Sequence, residues 1–326
     1  MTTLIAAFVT MASAWSALAL WYKAPGGRAA RSGASAAWLV LAAACLAGLW
    51  HGWVAIVLPA FAAAYAGLLM WWIGLSPSND REWADDVAQM VRGTVNGDRV
   101  TLQNVRNFAW RSEIDYMPRW ETRSYDLARL ITLDMIVSYW SRRTIAHMLI
   151  SFGFDDGTHV VFSVEIRREK SESFSEIGGF FKEFELCIIA ADERDIVRLR
   201  TNVRREETFL FRLNMPVAAM RSLLLAYVEE ANTLARVPRF YHTITGNCTT
   251  LVWRMLKRIV QPLPFSYRVL LSGYLPEYLY EVGALDRRYP IGELRARGYI
   301  SERARGSDQS AEFSRDIRAG VPTLQF

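Results

Sequence analysis

The feature that most constrains this chain is its first 75 residues, which contain no Asp or Glu. A helix needs about 20 consecutive apolar residues to cross the hydrocarbon core of a bilayer. Residues 3–22 meet that requirement, and residues 36–75 form an apolar stretch roughly twice as long as one span. His51-Gly52 interrupts the longer stretch near its middle. We therefore predict two or three transmembrane helices within residues 1–75, over about 3–22, 35–50 and 53–74.

The sidedness of this segment depends on a single loop. The only basic side chains before position 75 are Lys23, Arg28 and Arg31, which lie between the first two predicted helices. The positive-inside rule assigns such a loop to the cytoplasm, and three spans would leave the downstream domain there as well. If residues 36–75 instead hold one span and an interfacial segment, the same rule sends the domain outside.

The remainder of the chain has the composition of a soluble domain. All 33 acidic residues follow position 75 and nearly balance the remaining basic residues. The pI near 9.2 therefore gives little support for nucleic-acid binding, and no nucleic-acid partner is expected. We predict a domain over residues 76–300 and a polar C-terminal tail, 301–326, that lies loosely over the surface.

Apolar periodicity within residues 76–300 predicts strands followed by helices. The strongest pattern is a hairpin, His147–Phe154 and His159–Arg167, joined by the turn sequence Asp155-Asp156-Gly157. Asn214-Met215-Pro216 predicts the start of a long helix by its capping chemistry. An amphipathic helix is expected from Trp83 to about Arg92. Further strands are predicted at 99–102, 108–111, 124–129, 184–191 and 208–212. The expected fold class is α+β, with transmembrane helices followed by an antiparallel sheet packed on helices.

Cys248 is the candidate nucleophile. It stands where the loop residues Gly246 and Asn247 give way to an apolar run with helical spacing, which places it in the first turn of a helix. Unpaired backbone N–H groups and the helix dipole favour the thiolate at that position. The alternative is a small buried cysteine that caps a core helix. Cys45 and Cys187 show no pairing or metal-binding spacing with it, so free thiols are expected rather than a Cys187–Cys248 disulfide.

A nucleophilic cysteine needs a base, and His147 is the candidate. It begins an apolar strand, where a buried imidazole must find a hydrogen-bonding partner. A satisfied core histidine is the alternative. His51 fits a membrane turn and His159 an exposed turn, while His242, six residues before Cys248, fits either the same pocket or the surface.

Glu165 is the candidate group that orients the base, because it lies on the strand paired with that of His147. A cross-strand ion pair with Arg167 or Arg168 competes with that role. Asn247, together with Asn104 and Arg106 in the polar segment 104–108, is a candidate for substrate or oxyanion support. Asp192-Glu193-Arg194-Asp195 is interpreted as a charged turn and salt-bridge cluster and not as an acid–base site. No phosphate loop, dinucleotide fingerprint or zinc motif is present, so no metal or cofactor is expected.

Several of these motifs together resemble a known family. They are Asn104–Phe108, Ala146-His147 through Ser151-Phe152, Ser163–Glu169, Asp192–Asp195 and Asn247-Cys248-Thr249-Thr250. The set is similar to the bacterial Lnb-type N-terminal periplasmic domain family. The order of histidine before cysteine also resembles the plan of permuted papain-like thiol enzymes, such as the NlpC and lecithin:retinol acyltransferase groups. The family resemblance covers roughly residues 80–260.

The resemblance implies a periplasmic Cys/His acyl-transfer site on the bacterial inner membrane. Cys248 would be the acylated nucleophile, His147 its base and Glu165 its orienting group. The family's best-known activity is N-acylation of the lipid-modified amino-terminal cysteine of lipoproteins, so the expected partners are membrane lipids and lipoproteins. The expected function is thiol acyl transfer on lipid or lipoprotein acyl groups through a thioester. A cysteine amidase or peptidase acting on peptidoglycan peptides, and a non-catalytic membrane scaffold, are the alternatives.

Overall fold

The computed structural model describes residues 2–308 and 310–322 and begins with three long helices. They are α1 (Thr2–Lys23), α2 (Arg28–Trp50) and α3 (Val54–Gly74). Each is long and apolar enough to cross a membrane. They pack on one another, and the Ser35 hydroxyl of α2 donates to the Ala17 carbonyl of α1 at 2.9 Å. The loop before α2 is shorter than predicted, because the helix already begins at Arg28.

The basic loop between α1 and α2 lies on the same side of these helices as the rest of the chain. The Lys23 ammonium, at the end of α1, donates to the Glu183 carbonyl at 3.4 Å. The end of α3 lies there too, since the Lys182 ammonium donates to the Trp72 carbonyl at 2.7 Å. The start of α1 and the turn between α2 and α3 therefore lie on the far side.

The domain that follows is a mixed α and β structure. Its strands are β1 (Arg92–Asn96), β2 (Arg99–Arg106), β3 (Ala109–Trp110), β4 (Tyr116–Met117), β5 (Trp120–Asp126), β6 (Leu130–Tyr139), β7 (His147–Phe154), β8 (His159–Arg167), β9 (Glu185–Ala191) and β10 (Glu207–Arg212). Its helices are α4 (Glu193–Arg198), α5 (Val217–Arg236), α6 (Cys248–Ile259), α7 (Leu275–Glu281), α8 (Ile291–Gly298), α9 (Ser301–Gly306) and α10 (Phe313–Asp316).

Eight strands form the main sheet, in the order β1-β2-β9-β8-β7-β6-β10, with β5 paired to β2. The pairings are antiparallel except for β2 with β9, which run parallel over Val105–Ala190 and Arg106–Ala191. The β7–β8 hairpin forms with the predicted ends. Its register places Leu149 opposite Ser163 and Ile150 opposite Phe162.

Successive side chains of a strand point to opposite sides of the sheet, so each strand contributes to two cores. Helices cover both faces and bury these cores. The helices α5 and α6 cover one face, where Phe152, Phe162 and Tyr227 are fully buried. The other face is covered by α4, α9 and α10, and its core includes Leu149 and Ile189. Buried strands of this kind do not alternate cleanly between apolar and polar residues.

The amphipathic helix predicted from Trp83 to Arg92 is wrong. The structure has a short 3-10 turn at Asp85–Val87, and β1 begins at Arg92. Buried arginines bind the backbone carbonyls that a helix would otherwise use. Arg167 donates to the Val87 carbonyl at 3.0 Å and to the Ala88 carbonyl at 2.7 Å. These bonds favour an irregular segment over helical pairing.

The C-terminal segment also differs from its expected loose packing. Phe313 and Ile317 are fully buried against the sheet. Arg318 donates to Glu193 at 2.6 Å and to Asp134 at 2.9 Å, and both carboxylates are fully buried. The charged motif at 192–195 is the capped start of α4 and not a turn, but its carboxylates do form ion pairs, with Arg123, Arg318 and Arg106.

Candidate active site

Cys248 is the first residue of α6, and the chain before it is fixed by a capping box. The Asn247 side-chain oxygen accepts from the N–H groups of Thr249 at 3.0 Å and Thr250 at 2.8 Å. The amide nitrogen of Asn247 donates to the Thr243 carbonyl at 2.6 Å. Both ends of this carboxamide are bonded within the protein. Asn247 therefore positions the start of α6, and its role in substrate or oxyanion support stays a prediction.

The structure brings the side chains of Cys248 and His147 close enough for each to shift the pKa of the other. The pairing of β7 with β8 ends at Leu149 and Ser163. The N–H of Met148, the preceding residue of β7, also lies close enough to favour the Cys248 thiolate. The sulfur thus lies where the two strands separate. Cys248 is 8% exposed, so a small part of the residue reaches solvent.

The imidazole of His147 is held from its other side by β8. Its Nε2 atom lies 2.7 Å from the Ser163 hydroxyl and 3.0 Å from a Glu165 carboxylate oxygen. The Ser163 hydroxyl donates to that carboxylate at 2.6 Å, so it accepts from Nε2. This arrangement places the proton on Nε2 and leaves Nδ1 for the thiol.

The competing ion pair of Glu165 with Arg167 or Arg168 is not formed. Arg167 donates to the Val87 and Ala88 carbonyls, and its guanidinium lies 4.4 Å from the centre of the Trp83 ring. Arg168 pairs with Asp86 at 3.1 Å. Glu165 therefore faces His147, as the orienting role requires.

Arg200 is a site residue that the sequence analysis missed. Its guanidinium lies 3.5 Å from Glu165 and 3.2 Å from Glu206. It is presented by a π-helical turn, Leu199–Val203, that continues α4. Such turns are rare and are often found at functional sites. No local sequence pattern signals one, and the link between Arg200 and Glu165 depends on tertiary contact alone.

These contacts set the charges of the site. Burial and Arg200 both act to lower the pKa of His147, but Glu165 and Cys248 outweigh them and raise the pKa to about 9. Burial acts to raise the pKa of Cys248, but the hydrogen bond and charge of His147 prevail, and the pKa is lowered. Burial also opposes ionisation of Glu165, yet His147 and Arg200 hold its pKa well below its usual range. At neutral pH the site therefore holds a charged imidazolium between a carboxylate and a thiol whose ionisation the imidazolium favours.

The other histidines and Cys187 lie outside this arrangement. His242 accepts the N–H groups of Ile244 and Thr245 at 3.2 Å and so shapes the loop before Cys248. His159 bonds to its own turn, and His51 ends α2. Cys187 is fully buried, and burial raises the pKa of its thiol far above the ordinary value. All three cysteines are free, as expected.

Asn104 and Arg106 have structural contacts away from Cys248. Asn104 has a positive φ of 62° at an irregularity in β2, and its amide donates to the Met90 carbonyl at 3.0 Å. Arg106 is 3% exposed and forms a two-pronged ion pair with Asp195, at 2.9 and 3.0 Å. The structure does not bring these two side chains to the thiol. Their bonds explain the polar content of segment 104–108 as backbone and charge satisfaction.

No cluster of three or more His, Cys, Asp or Glu side chains suited to a metal ion occurs among residues 2–308 and 310–322. A polar cleft does occur at the turn end of the hairpin, beside Arg129, Asp156 and His159. It is separate from Cys248, which lies at the opposite end of the two strands.

Comparison with known proteins gives one match. Residues 116–273 match the model of a protein family described as the Lnb N-terminal periplasmic domain. That range contains Cys248, His147, Ser163, Glu165 and Arg200. No curated protein and no solved structure matches the chain.

Proposed function

Because the chain carries an Lnb N-terminal periplasmic domain behind three candidate membrane spans, we propose that it is a membrane-anchored thiol acyltransferase. Its substrates are lipid or lipoprotein acyl groups, and a thioester on Cys248 is the intermediate. The chain is an inner-membrane protein with a periplasmic domain. The loop Lys23–Arg31 lies on the domain side, so it is periplasmic despite its charge.

The observation that carries the proposal is the contact of Cys248 with His147, which Ser163 and Glu165 hold in turn. A nucleophile, a base and an orienting group in this order are the parts that covalent acyl transfer needs. A cysteine that only packs in the core is expected to have a raised thiol pKa, as Cys187 does. The pKa of Cys248 is instead lowered.

The reaction proceeds in two balanced steps. The Cys248 thiolate attacks the carbonyl carbon of an acyl ester, and the imidazolium of His147 gives its proton to the departing alcohol oxygen. In the second step an amine or water attacks the thioester carbonyl, His147 takes the proton of the attacking group, and the thiolate is released. The backbone N–H of Cys248, which lies in the first turn of α6, is our candidate donor to the oxyanion of both tetrahedral intermediates.

An apolar environment around the thiol supports acyl groups as the transferred group. Cys248 belongs to the core cluster that includes Met148, Leu251 and Tyr227. Tyr241 also lies near enough to interact electrostatically with the thiol. An acyl chain bound against such side chains is removed from water at a gain of about 0.8 kcal/mol for each CH₂ group.

The test is intact mass spectrometry of the full chain purified from membranes, before and after treatment with an alkylating reagent. We expect a fatty-acyl adduct that hydroxylamine removes, or rapid alkylation of one thiol. Both should be lost in Cys248→Ser and strongly reduced in His147→Ala, while Cys187 stays unmodified in every sample. An unacylated and unreactive Cys248 in the folded protein would refute the proposal. Cleavage of muropeptide amides without acyl loading would instead favour the amidase.

A further inference from the structure

Four segments surround the approach to Cys248, and we call them the rim. They are residues 140–146, 174–183, 241–246 and 265–274. The first and third run directly into His147 and Cys248. The other two are bonded to them, since the Thr243 N–H donates to the Gly179 carbonyl at 3.4 Å and the Gly273 N–H to the Thr144 carbonyl at 3.1 Å. The contact is close enough that a Cβ on Gly179 would lie 2.4 Å from the Thr243 hydroxyl oxygen.

The rim exposes an unusual amount of apolar surface. Eleven of the seventeen large apolar side chains that are exposed after residue 75, within the described part of the chain, lie in these four segments. Phe174 and Ile177 are more than half exposed, as is Phe265. Scattered exposed apolar residues are normal, but a concentration around one opening marks a contact surface.

The rim is continuous with the ends of the membrane helices. The Ser175 hydroxyl lies 3.1 Å from the Tyr22 hydroxyl of α1. The ring of Phe181 stacks on that of Tyr22, with centroids 5.6 Å apart, and also contacts Trp72 of α3. Tyr and Trp residues are enriched where helices leave the hydrocarbon core. The 174–183 segment therefore lies at the level of the membrane interface.

Basic side chains accompany the apolar ones. Arg142 and Arg143 are exposed between Trp140 and Ile145. Lys182, on the neighbouring segment, lies 4.9 Å from the centre of the Trp72 ring. Apolar side chains combined with nearby Lys and Arg are typical of surfaces that bind a bilayer containing anionic lipid.

We propose that the rim sits in the outer leaflet of the inner membrane, so that an acyl donor reaches Cys248 from the bilayer without crossing water. The part of this inference that concerns acyl transfer from the lipid to Cys248 rests on the proposed function. The docking of the rim itself is independent of it. The occupant of the surface is the bilayer, because the rim continues the interface that α1 and α3 already define.

Depth-dependent quenching tests the docking. In the full chain carrying Cys248→Ser, Ile177→Cys or Leu271→Cys is labelled with an environment-sensitive fluorophore. The protein is placed in vesicles of phosphatidylethanolamine and phosphatidylglycerol that contain nitroxide-labelled lipid. Ile114→Cys is the control, since Ile114 is 94% exposed and follows β2 at the sheet end away from the rim. We expect several-fold stronger quenching at both rim positions than at Ile114. Equal quenching at the three positions would overturn the proposal. The exposed apolar residues of the rim would then be explained better by contact with a protein partner.

A second measurement separates this proposal from the proposed function. With Cys248 intact, Ile177→Ser combined with Leu271→Ser should leave alkylation by a small soluble reagent unchanged while lowering acyl loading from vesicles several-fold. If loading from vesicles is also unchanged, the rim proposal is wrong and the acyltransferase proposal stands. If Cys248 is inert in the parent protein, the acyltransferase proposal fails, and strong quenching at the rim would still support docking.

Discussion

The groups around His147 have opposite effects on the pKa of its imidazole. Burial and Arg200 favour the neutral ring, whereas Glu165 and the Cys248 thiolate favour the charged one. The charged ring prevails, with a pKa of about 9. The thiolate of Cys248 therefore depends on His147 and not on the helix dipole alone.

Removal of the imidazole should change the pH dependence of Cys248 alkylation. In the wild type the lowered thiol pKa moves the rise of the alkylation rate to a lower pH than for an ordinary cysteine, and the rate falls as acid protonates the thiolate. In His147→Ala, burial acts without opposition and raises the thiol pKa. The rate at pH 7 should then fall about tenfold for each unit of that rise, and the profile should move to higher pH.

The control for this prediction is His159→Ala, because His159 lies in the exposed hairpin turn. Its alkylation profile should match the wild type. A His147→Ala profile that coincides with the wild-type profile would show that the helix start alone activates the thiol.

Glu165→Gln should distinguish the role of Glu165 in orienting the His147 ring from the effect of its negative charge on that ring. The amide can still accept from the Ser163 hydroxyl, but it no longer stabilises the imidazolium, so the pKa of His147 should fall from about 9. The His147 resonance, followed by NMR against pH, measures this shift directly. Glu207→Gln, an exposed change on β10, should leave the titration unmoved. An unchanged pKa of His147 in Glu165→Gln would show that Glu165 does not stabilise the imidazolium.

The residues of the site differ in how well they can be predicted from the sequence. Cys248 and His147 stand out because each begins an element whose periodicity is clear. Glu165 follows from strand pairing, since it is on the strand that the Asp155-Asp156-Gly157 turn brings back. Arg200 could not be predicted, because its link to Glu165 is set by a π-helical turn and by the packing of α4 on the sheet. Asn104 and Arg106 are polar for structural reasons that only their partners Met90 and Asp195 reveal.

At the scale of the elements, α6 is defined by its cap. Asn247→Ala removes the acceptor for two N–H groups and should lower the stability of the folded domain by about 1 kcal/mol. Asn247→Asp keeps that acceptor but replaces the donor to the Thr243 carbonyl with a second oxygen, so it should also lose part of the stability. Its added negative charge should raise the pKa of Cys248 and slow alkylation.

Thermal unfolding in detergent and alkylation rates, measured on both variants, test this prediction. If Asn247 served as a direct donor to the substrate and not as a cap, the two variants would lose activity alike and keep the same stability.

The sequence predicts the outer limits of some elements well and misses others entirely. The β7–β8 hairpin has a strong turn signal at Gly157 and forms with the predicted ends. The helix α5 also forms after Asn214-Met215-Pro216, but the predicted cap by Asn214 is wrong, because the N-cap is Pro216 and no side-chain cap bond is made. The central strand β6 was not predicted, because it is buried on both faces and its apolar residues do not alternate. The segment 83–92 has helical spacing, but the carbonyls of Val87 and Ala88 are taken by Arg167. Such tertiary bonds are invisible to local patterns.

At the scale of the whole molecule, the C-terminal segment closes the sheet face opposite α5 and α6. This packing is not predicted from the sequence, because the segment is polar and contains few aliphatic residues. Buried apolar side chains, which include Phe313 and Ile317, and the ion pairs of Arg318 hold it in place. Asp134 and Glu193 are fully buried, so their charges depend on Arg318 and, for Asp134, also on Arg212.

Arg318→Met should therefore destabilise the domain strongly. Loss of one partner from a buried ion pair costs about 3–5 kcal/mol, because it leaves an uncompensated charge. Chemical denaturation of the detergent-solubilised protein measures the change. Arg315→Met, three residues earlier and largely exposed, should have almost no effect. Equal stabilities of the two variants would mean that the C-terminal segment contributes little to the fold.

The three-helix arrangement also determines how the protein is made. An odd number of spans puts the start of α1 in the cytoplasm and the domain across the membrane. Chains emerge from the ribosome with the N-terminal part first, so α1, α2 and α3 are synthesised before any strand of the sheet. The domain crosses the membrane after α3, which tethers it on the far side. It therefore folds already tethered, with the segments around Cys248 beside the leaflet from the moment that they form.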